Sequence, residues 1–261
     1  VKTVVTTASR STSSMMEWAE RVSTELSLQQ VVRNKRSIKK MHADESSDLL
    51  ICLKERLEFY PLGKTEPFFF HPNSAAYRTK RPLEEDPLVV VSNLKPGDSF
   101  LDCTLGLASD SLVASQRVGK GGHVIGCESH PILAYVVKQG LKQYSGMPHL
   151  IDAMKRIEVV SCDAVSFLKK LESNSIDVIY MDPMFTEEIT EATNFTAIKG
   201  LANQGQLTAQ WVAEAKRVAR KSIVLKAHFS SQDFERFGFV RRVRPNTKFH
   251  YGVIILAQEN N

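Results

Sequence analysis

The chain has 261 residues, 43% of them hydrophobic and 24% charged, a composition ordinary for a globular protein. This length suits one large α/β domain or one domain with an extension. No apolar run approaches the roughly 20 residues that span a bilayer. The first residues also lack the apolar core of a secretory signal, so a cytoplasmic location without membrane partners is expected.

The formal net charge of +5 suits a polyanionic partner. Cys52, Cys103, Cys127 and Cys162 contain no C-x-x-C pair, so no zinc site and no other metal is expected. Cys103, Cys127 and Cys162 each adjoin an acid at the end of a predicted strand and read as reduced, buried thiols.

Residues 1–85 read as a small α/β appendage. Val4-Val5-Thr6-Thr7 predicts a strand, and Ser13-Ser14 with Glu17 predicts a capped helix through Trp18, Val22 and Leu26. Residues 48–53 and 57–60 predict two strands or a hairpin, followed by a turn at Pro61-Leu62-Gly63. Phe68-Phe69-Phe70-His71 predicts a further strand ending at Pro72. A basic stretch, 74–81, follows.

From residue 86 to 261 strands and helices alternate. Strands are expected at 99–103, 123–128, 157–163, 176–181 and 222–226. Helices are expected at 87–94, from Ser109 or Asp110 to Val118, from Pro131 to Tyr144, up to Leu171, and at 208–220. Two final strands, 239–243 and 249–256, have no helix between them. Alternation implies a doubly wound, mostly parallel seven-stranded sheet with an antiparallel C-terminal strand.

Asp102, Glu128, Asp163 and Asp182 each close one of the first four strands of this region. In a parallel sheet all four lie along the ligand-binding edge. Four acids suit a ligand with hydroxyls, an amino group and positive charge, not a phosphate. S-adenosyl-L-methionine (SAM) has these groups. Glu128 is placed for a ribose diol, Asp163 for an adenine amine or a helix N-cap, and Asp110 for an ammonium or the same capping role. Gly106 allows close backbone approach, whereas the G-x-G-x-x-G of a pyrophosphate cradle is missing.

Two stretches resemble a known family: Phe100-Leu101-Asp102-Cys103-Thr104-Leu105-Gly106-Leu107-Ala108-Ser109-Asp110 and Tyr180-Met181-Asp182-Pro183-Met184-Phe185. They are similar to the RsmJ family, SAM-dependent methyltransferases that act on the exocyclic amine of a guanine in small-subunit ribosomal RNA. The resemblance implies a Rossmann-like class I methyltransferase fold with SAM as cofactor. It implies cofactor contacts at Ser109, Asp110, Glu128, Ser129, Asp163, Ala164 and Asp182; the end of the first strand and its loop add Asp102, Thr104 and Gly106 as cofactor-binding candidates. The chain departs from the family at Ala108, Ser109 and Asp163, where Gly, Arg and Ser are usual.

Asp182-Pro183-Met184-Phe185 also resembles the Asp/Asn-Pro-Pro-Tyr/Phe motif of amino methyltransferases. It implies that Asp182 and the Pro183 carbonyl accept the two N–H bonds of the target amine while Phe185 stacks on the base. Arg78, Lys80 and Lys226 are the candidate contacts to RNA. Basic clusters at Arg33–Lys40, Arg78–Arg81, Lys216–Lys221 and Arg241–Lys248 favour RNA, ribosomal or in a small subunit, as partner. Three alternatives stay open: an amino methyltransferase with another acceptor, such as adenine N6 in RNA or DNA; an inactive RNA-binding module of this fold; and a nicotinamide dehydrogenase.

Overall fold

The computed structural model describes residues 1–183 and 206–256. These fall into two compact units, Val1–His71 with Tyr135–Tyr144, and Pro72–Ala134 with 145–183 and 206–256.

The first unit contains β1 (Thr3–Thr7), α1 (Ser13–Leu26), β2 (Gln29–Gln30), α2 (Ile38–Glu45), β3 (Asp48–Cys52) and β4 (Leu57–Tyr60). The sheet order is β2-β1-β3-β4, with β1 parallel to β2 and β3, and β3 antiparallel to β4. Val4, Met41, Leu49, Ile51 and Tyr60 form one core. Helix α1 is capped one residue earlier than expected. The Thr12 side chain accepts from the Met15 N–H, and Ser13 and Ser14 enter the first turn.

Residues 68–72 form no strand. Phe68 makes one isolated antiparallel bridge to Phe59. Pro67 and Pro72 lack N–H donors on either side, which prevents a longer ladder. The unit boundary at His71/Pro72 precedes the expected one at residue 85. Residues 73–78 there form a helix, α3 (Asn73–Arg78), packed on α5 (Ser109–Val118) of the second unit.

The second unit also contains α4 (Pro87–Ser92), β5 (Ser99–Asp102), β6 (His123–Glu128), the start of α6 (Pro131–Gln143), α7 (Ile151–Lys155), β7 (Ile157–Ser161), α8 (Ala164–Leu168) and β8 (Ile176–Met181). After the undescribed stretch come α9 (Ala209–Val218), β9 (Ala219–His228), α10 (Asp233–Phe237), β10 (Val240–Arg242) and β11 (Phe249–Ile255). The seven-stranded sheet has the order β10-β11-β9-β8-β5-β6-β7. Strands β5 to β9 pair in parallel, and β11 runs antiparallel to both β9 and β10. The order reverses at β5, so the carboxyl ends of β5 and β8 flank the switch point where α/β sheets bind ligands.

Side-chain alternation sorts the two faces. Ile179 and Met181 of β8 join Ile223 and Leu225 of β9 in a buried core with Trp211 and Ala215 of α9. Tyr180 and Asp182 therefore point to the opposite face, which α5 covers along β5 and β6. Cys103 and Cys127 are free thiols in the core that holds Trp211, while Cys162 is partly exposed.

One glycine of β6 admits the loop that follows β5. A Cβ on Gly126 would lie 2.3 Å from Leu105 Cδ1. We expect Gly126→Ala to overpack this contact by about 1–3 kcal/mol. Calorimetry should show a melting temperature roughly 2–10 °C lower. An added Leu105→Ala change should recover part of the loss; strictly additive losses would contradict the contact.

Candidate active site

Strand β5 ends at Asp102, which is 1% exposed. Its Oδ1 accepts from the Thr104 N–H at 2.9 Å, and its Oδ2 accepts from the Ser111 hydroxyl at 2.7 Å. This corrects the expected ligand contact: the carboxylate is enclosed and braces the loop against the first turn of α5. Burial pushes Asp102 up to about 7, against the hydrogen bonds from Ser111 and Thr104 and helped by the charges of Asp110 and Asp182.

The loop itself is tied to β6 by Leu105 N–H donating to Cys127 O at 2.9 Å. It turns through two left-handed residues, Gly106 (φ 48°) and Ala108 (φ 59°). Alanine tolerates this region at a cost of about 1 kcal/mol, so the departure from glycine at Ala108 leaves the turn intact.

At the end of β6, Glu128 Oε1 accepts from the His130 N–H at 2.9 Å. The backbone amides of Gly106 and Ser129 also favour its charged form. Burial raises its pKa and those three amides oppose the rise. After β7, Asp163 caps α8, accepting from the Ser166 N–H at 2.9 Å, with Ala164 buried behind it. Ser109 opens α5.

At the end of β8 the Asp182 N–H donates to Thr104 Oγ1 at 2.8 Å, joining the β5 loop to the Asp-Pro step. Met181 pairs with Leu225, so Asp182 stands level with Lys226 on the neighbouring strand. Lys226 Nζ donates to Asp182 Oδ2 at 2.6 Å and lies 3.4 Å from Asp110 Oδ2. Asp110 also accepts from the Tyr180 hydroxyl at 2.9 Å and from Arg78 at 2.5 Å. Arg78 forks onto Asp86 with bonds of 2.9 and 2.8 Å. Acids and bases thus alternate from Asp86 to Asp182.

These contacts change two assignments. Arg78 and Lys226 are engaged with carboxylates, and Lys226 is only 22% exposed, so neither stands at the surface as the phosphate contact expected of it. Lys80 remains exposed beyond α3. Phe185 lies outside the described residues, and Pro183 is buried directly after Asp182. The signal for Lys226 was present in the sequence. An acid and a lysine end adjacent predicted strands at the same level.

The network sets the charge states. Burial would lower the Lys226 pKa, but Asp110 and Asp182 outweigh it and hold the ammonium charged. Burial would raise Asp110, but Lys226 and Arg78 keep it below the usual carboxylate range. For Asp182 burial prevails: its pKa is raised, with Lys226 opposing and Asp110 adding to the rise. Three carboxyl groups, Asp86, Asp110 and Asp182, face two cations, Arg78 and Lys226, and Asp182 is the end of this chain of contacts at the sheet edge.

The donor set fits SAM. Among the described residues Glu128 forms no ion pair, and the His130 amide orients its carboxylate, an acceptor suited to a vicinal diol. Asp182 and Asp163 supply further acceptors on the same edge. Among the described residues no group of three His, Cys, Asp or Glu side chains could hold a metal ion, and no helix is long and apolar enough to cross a membrane.

Residues 33–235 match the family described as "Putative SAM-dependent methyltransferase". The chain belongs to this family. Its cofactor is SAM. A protein of Bacillus subtilis (strain 168) named "Uncharacterized protein YpiP" is 41% identical over 254 residues, covering 96% of this chain and 98% of that protein. "Ribosomal RNA small subunit methyltransferase J" of Acinetobacter baumannii (strain SDF) is 36% identical over 90 residues, covering 34% of this chain and 31% of its own length. The crystal structure of the SAM-dependent methyltransferase NGO1261 from Neisseria gonorrhoeae superposes with a TM-score of 0.64 at 16% identity, covering 97% of this chain and 95% of that one. That likeness establishes the Rossmann-like methyltransferase fold.

The buried Asp102 of this methyltransferase makes a signed prediction. Its folded pKa of about 7 exceeds the ordinary carboxylate value of 3.8, so the folded state binds more protons between those limits. Stability from this group is present below the lower limit and falls as pH rises through the window. Urea unfolding of the wild type and Asp102→Asn from about pH 4 to 8 should show the wild type losing ground to the variant as pH rises. A pH-independent difference would contradict the assignment.

Proposed function

We propose that this methyltransferase methylates the exocyclic amine of an RNA base, N2 of a guanine in ribosomal RNA. The supporting observation is Asp182: an anionic acceptor at the switch point, oriented by Lys226 and anchored through its own N–H by Thr104.

An exocyclic amine is a weak nucleophile because its lone pair is delocalised into the ring. Bound SAM supplies an electrophilic methyl group on a sulfonium. Asp182 and the Pro183 carbonyl accept the two amine N–H bonds, which favours a pyramidal nitrogen and fixes its direction. Positive charge grows on that nitrogen in the transition state. The Asp182 carboxylate, oriented by Lys226, is positioned to offset that charge. Once methylated, the nitrogen holds one proton too many. The Asp182 carboxylate, with its raised pKa, accepts that proton. Glu128, Ser129, Ser109 and the Gly106 backbone are the residues assigned to the cofactor, with Asp163 and Ala164 at its adenine.

We further propose that Phe185 stacks on the target base and that the N-terminal appendage, residues 1–85, docks the RNA. Guanine as the target base rests on the resemblance of Asp182-Pro183-Met184-Phe185 and on the 90-residue likeness to methyltransferase J.

Ribosomal subunits or extracted RNA incubated with tritium-labelled SAM and digested to nucleosides test the assignment. Label in N2-methylguanosine is expected. Label in N6-methyladenosine would move the acceptor to adenine, and RNA without label would refute an RNA substrate. Asp182→Ala should lower transfer at least about 100-fold while the variant still unfolds cooperatively and binds SAM; retained activity would refute the role of Asp182.

A further inference from the structure

The four basic clusters do not have equal standing in the fold. Arg36 and Lys40 are taken by Asp44 and Glu45. Arg78 is held by Asp86 and Asp110, and Glu84 and Glu85 follow Lys80 and Arg81 closely in sequence. Arg217, Arg220 and Lys221 pair with Glu214, Asp177 and Asp98. The fourth cluster differs. No acid occurs from Gly238 to Gly252, while Arg241, Arg242, Arg244 and Lys248 do. Arg241 reaches Glu235 and two loop carbonyls, but among the described residues Arg242 and Arg244 form no ion pair.

This cluster connects β10 to β11, and β11 lies beside β9. Just past the end of β9 stands Phe229, a large ring left 50% exposed. It is not a loose side chain. Its ring lies 4.4 Å from that of His228, which in turn meets Phe249 edge-on at 6.2 Å. Its backbone is fixed by Phe229 N–H donating to Lys248 O at 2.9 Å and by Arg241 donating to Phe229 O at 2.9 Å. His228 shares a strand face with Lys226, whose Nζ bonds Asp182 and faces the Phe249 ring at 5.7 Å. An exposed aromatic held rigid among cations, on the same sheet edge as Asp182, matches how single-stranded nucleic acid is bound: rings under bases and cations on the backbone.

We propose that Phe229, backed by His228, stacks on a base of single-stranded RNA flanking the target nucleotide, while Arg242 and Arg244 contact its phosphates. This rests on the RNA reading of the active site and extends it. The flanking strand would be drawn across the end of β9, leaving the target base free to turn toward Asp182.

Fluorescence anisotropy of the full chain with a labelled 12-residue oligouridine, over a salt series, tests the surface. Phe229→Ala should weaken binding about tenfold, and Phe229→Trp should keep it. The pair Arg242→Ser and Arg244→Ser should weaken binding and flatten the salt dependence by about 1.4 in log–log slope. Calorimetric SAM binding, unchanged in all variants, shows that they remain folded. Wild-type binding that none of the variants weakens would overturn this surface. If the same variants still label ribosomal RNA as the wild type does, the amine-methylation reading stands without it. A wild type that neither binds the oligonucleotide nor labels any RNA overturns both.

Discussion

The ion pair between Lys226 and Asp182 is the contact on which the site depends. Asp182 is drawn toward neutrality by burial, and a neutral acid there would accept an amine N–H only weakly and would not offset the charge that develops. Lys226 opposes that tendency at 2.6 Å. Lys226 in turn stays charged in a largely buried position because Asp110 shares it, and Asp110 is kept low by Arg78 as well. Removing one member of such an arrangement leaves an uncompensated charge, which is more costly than losing a surface pair. The reach back to Asp86, at the cap of α4, ties the charge state of the strand end to the packing of two helices.

A second constraint joins cofactor loop and acceptor site. Thr104 is the hinge between them: its N–H satisfies Asp102, and its hydroxyl accepts from the Asp182 backbone. The loop after β5 and the Asp-Pro step after β8 are therefore held as one piece. Gly126, by admitting Leu105, seats that piece on β6, the strand that ends at Glu128. Sub-ångström placement of nucleophile and methyl donor needs this kind of joint support.

Much of this was legible in the sequence, for local reasons. The seven strands of the second unit are short runs of β-branched and aromatic residues between turn signals, and the acids at four strand ends mark the ligand edge. The RsmJ resemblance placed the chain in its class. The failures are non-local or depend on backbone partners. Asp102 looked like a ligand contact because it ends a strand, yet Ser111, nine residues on, closes over it. Arg78 and Lys226 looked like surface cations because their partners are far away in sequence, Asp110 above all. Phe68–His71 has strand composition, but its flanking prolines deny it a ladder. Helices α2 and α10 were missed because each is short and one turn or two of charged residues gives little periodicity.

The central claim is that Lys226 acts on catalysis through Asp182. A double-mutant cycle in kcat/KM for methyl transfer, with Asp182→Asn, Lys226→Met and the double variant, tests it most directly. If Lys226 serves to hold and charge Asp182, the double variant should be no slower than Asp182→Asn alone. Losses that multiply would show that Lys226 acts independently, and would contradict the account.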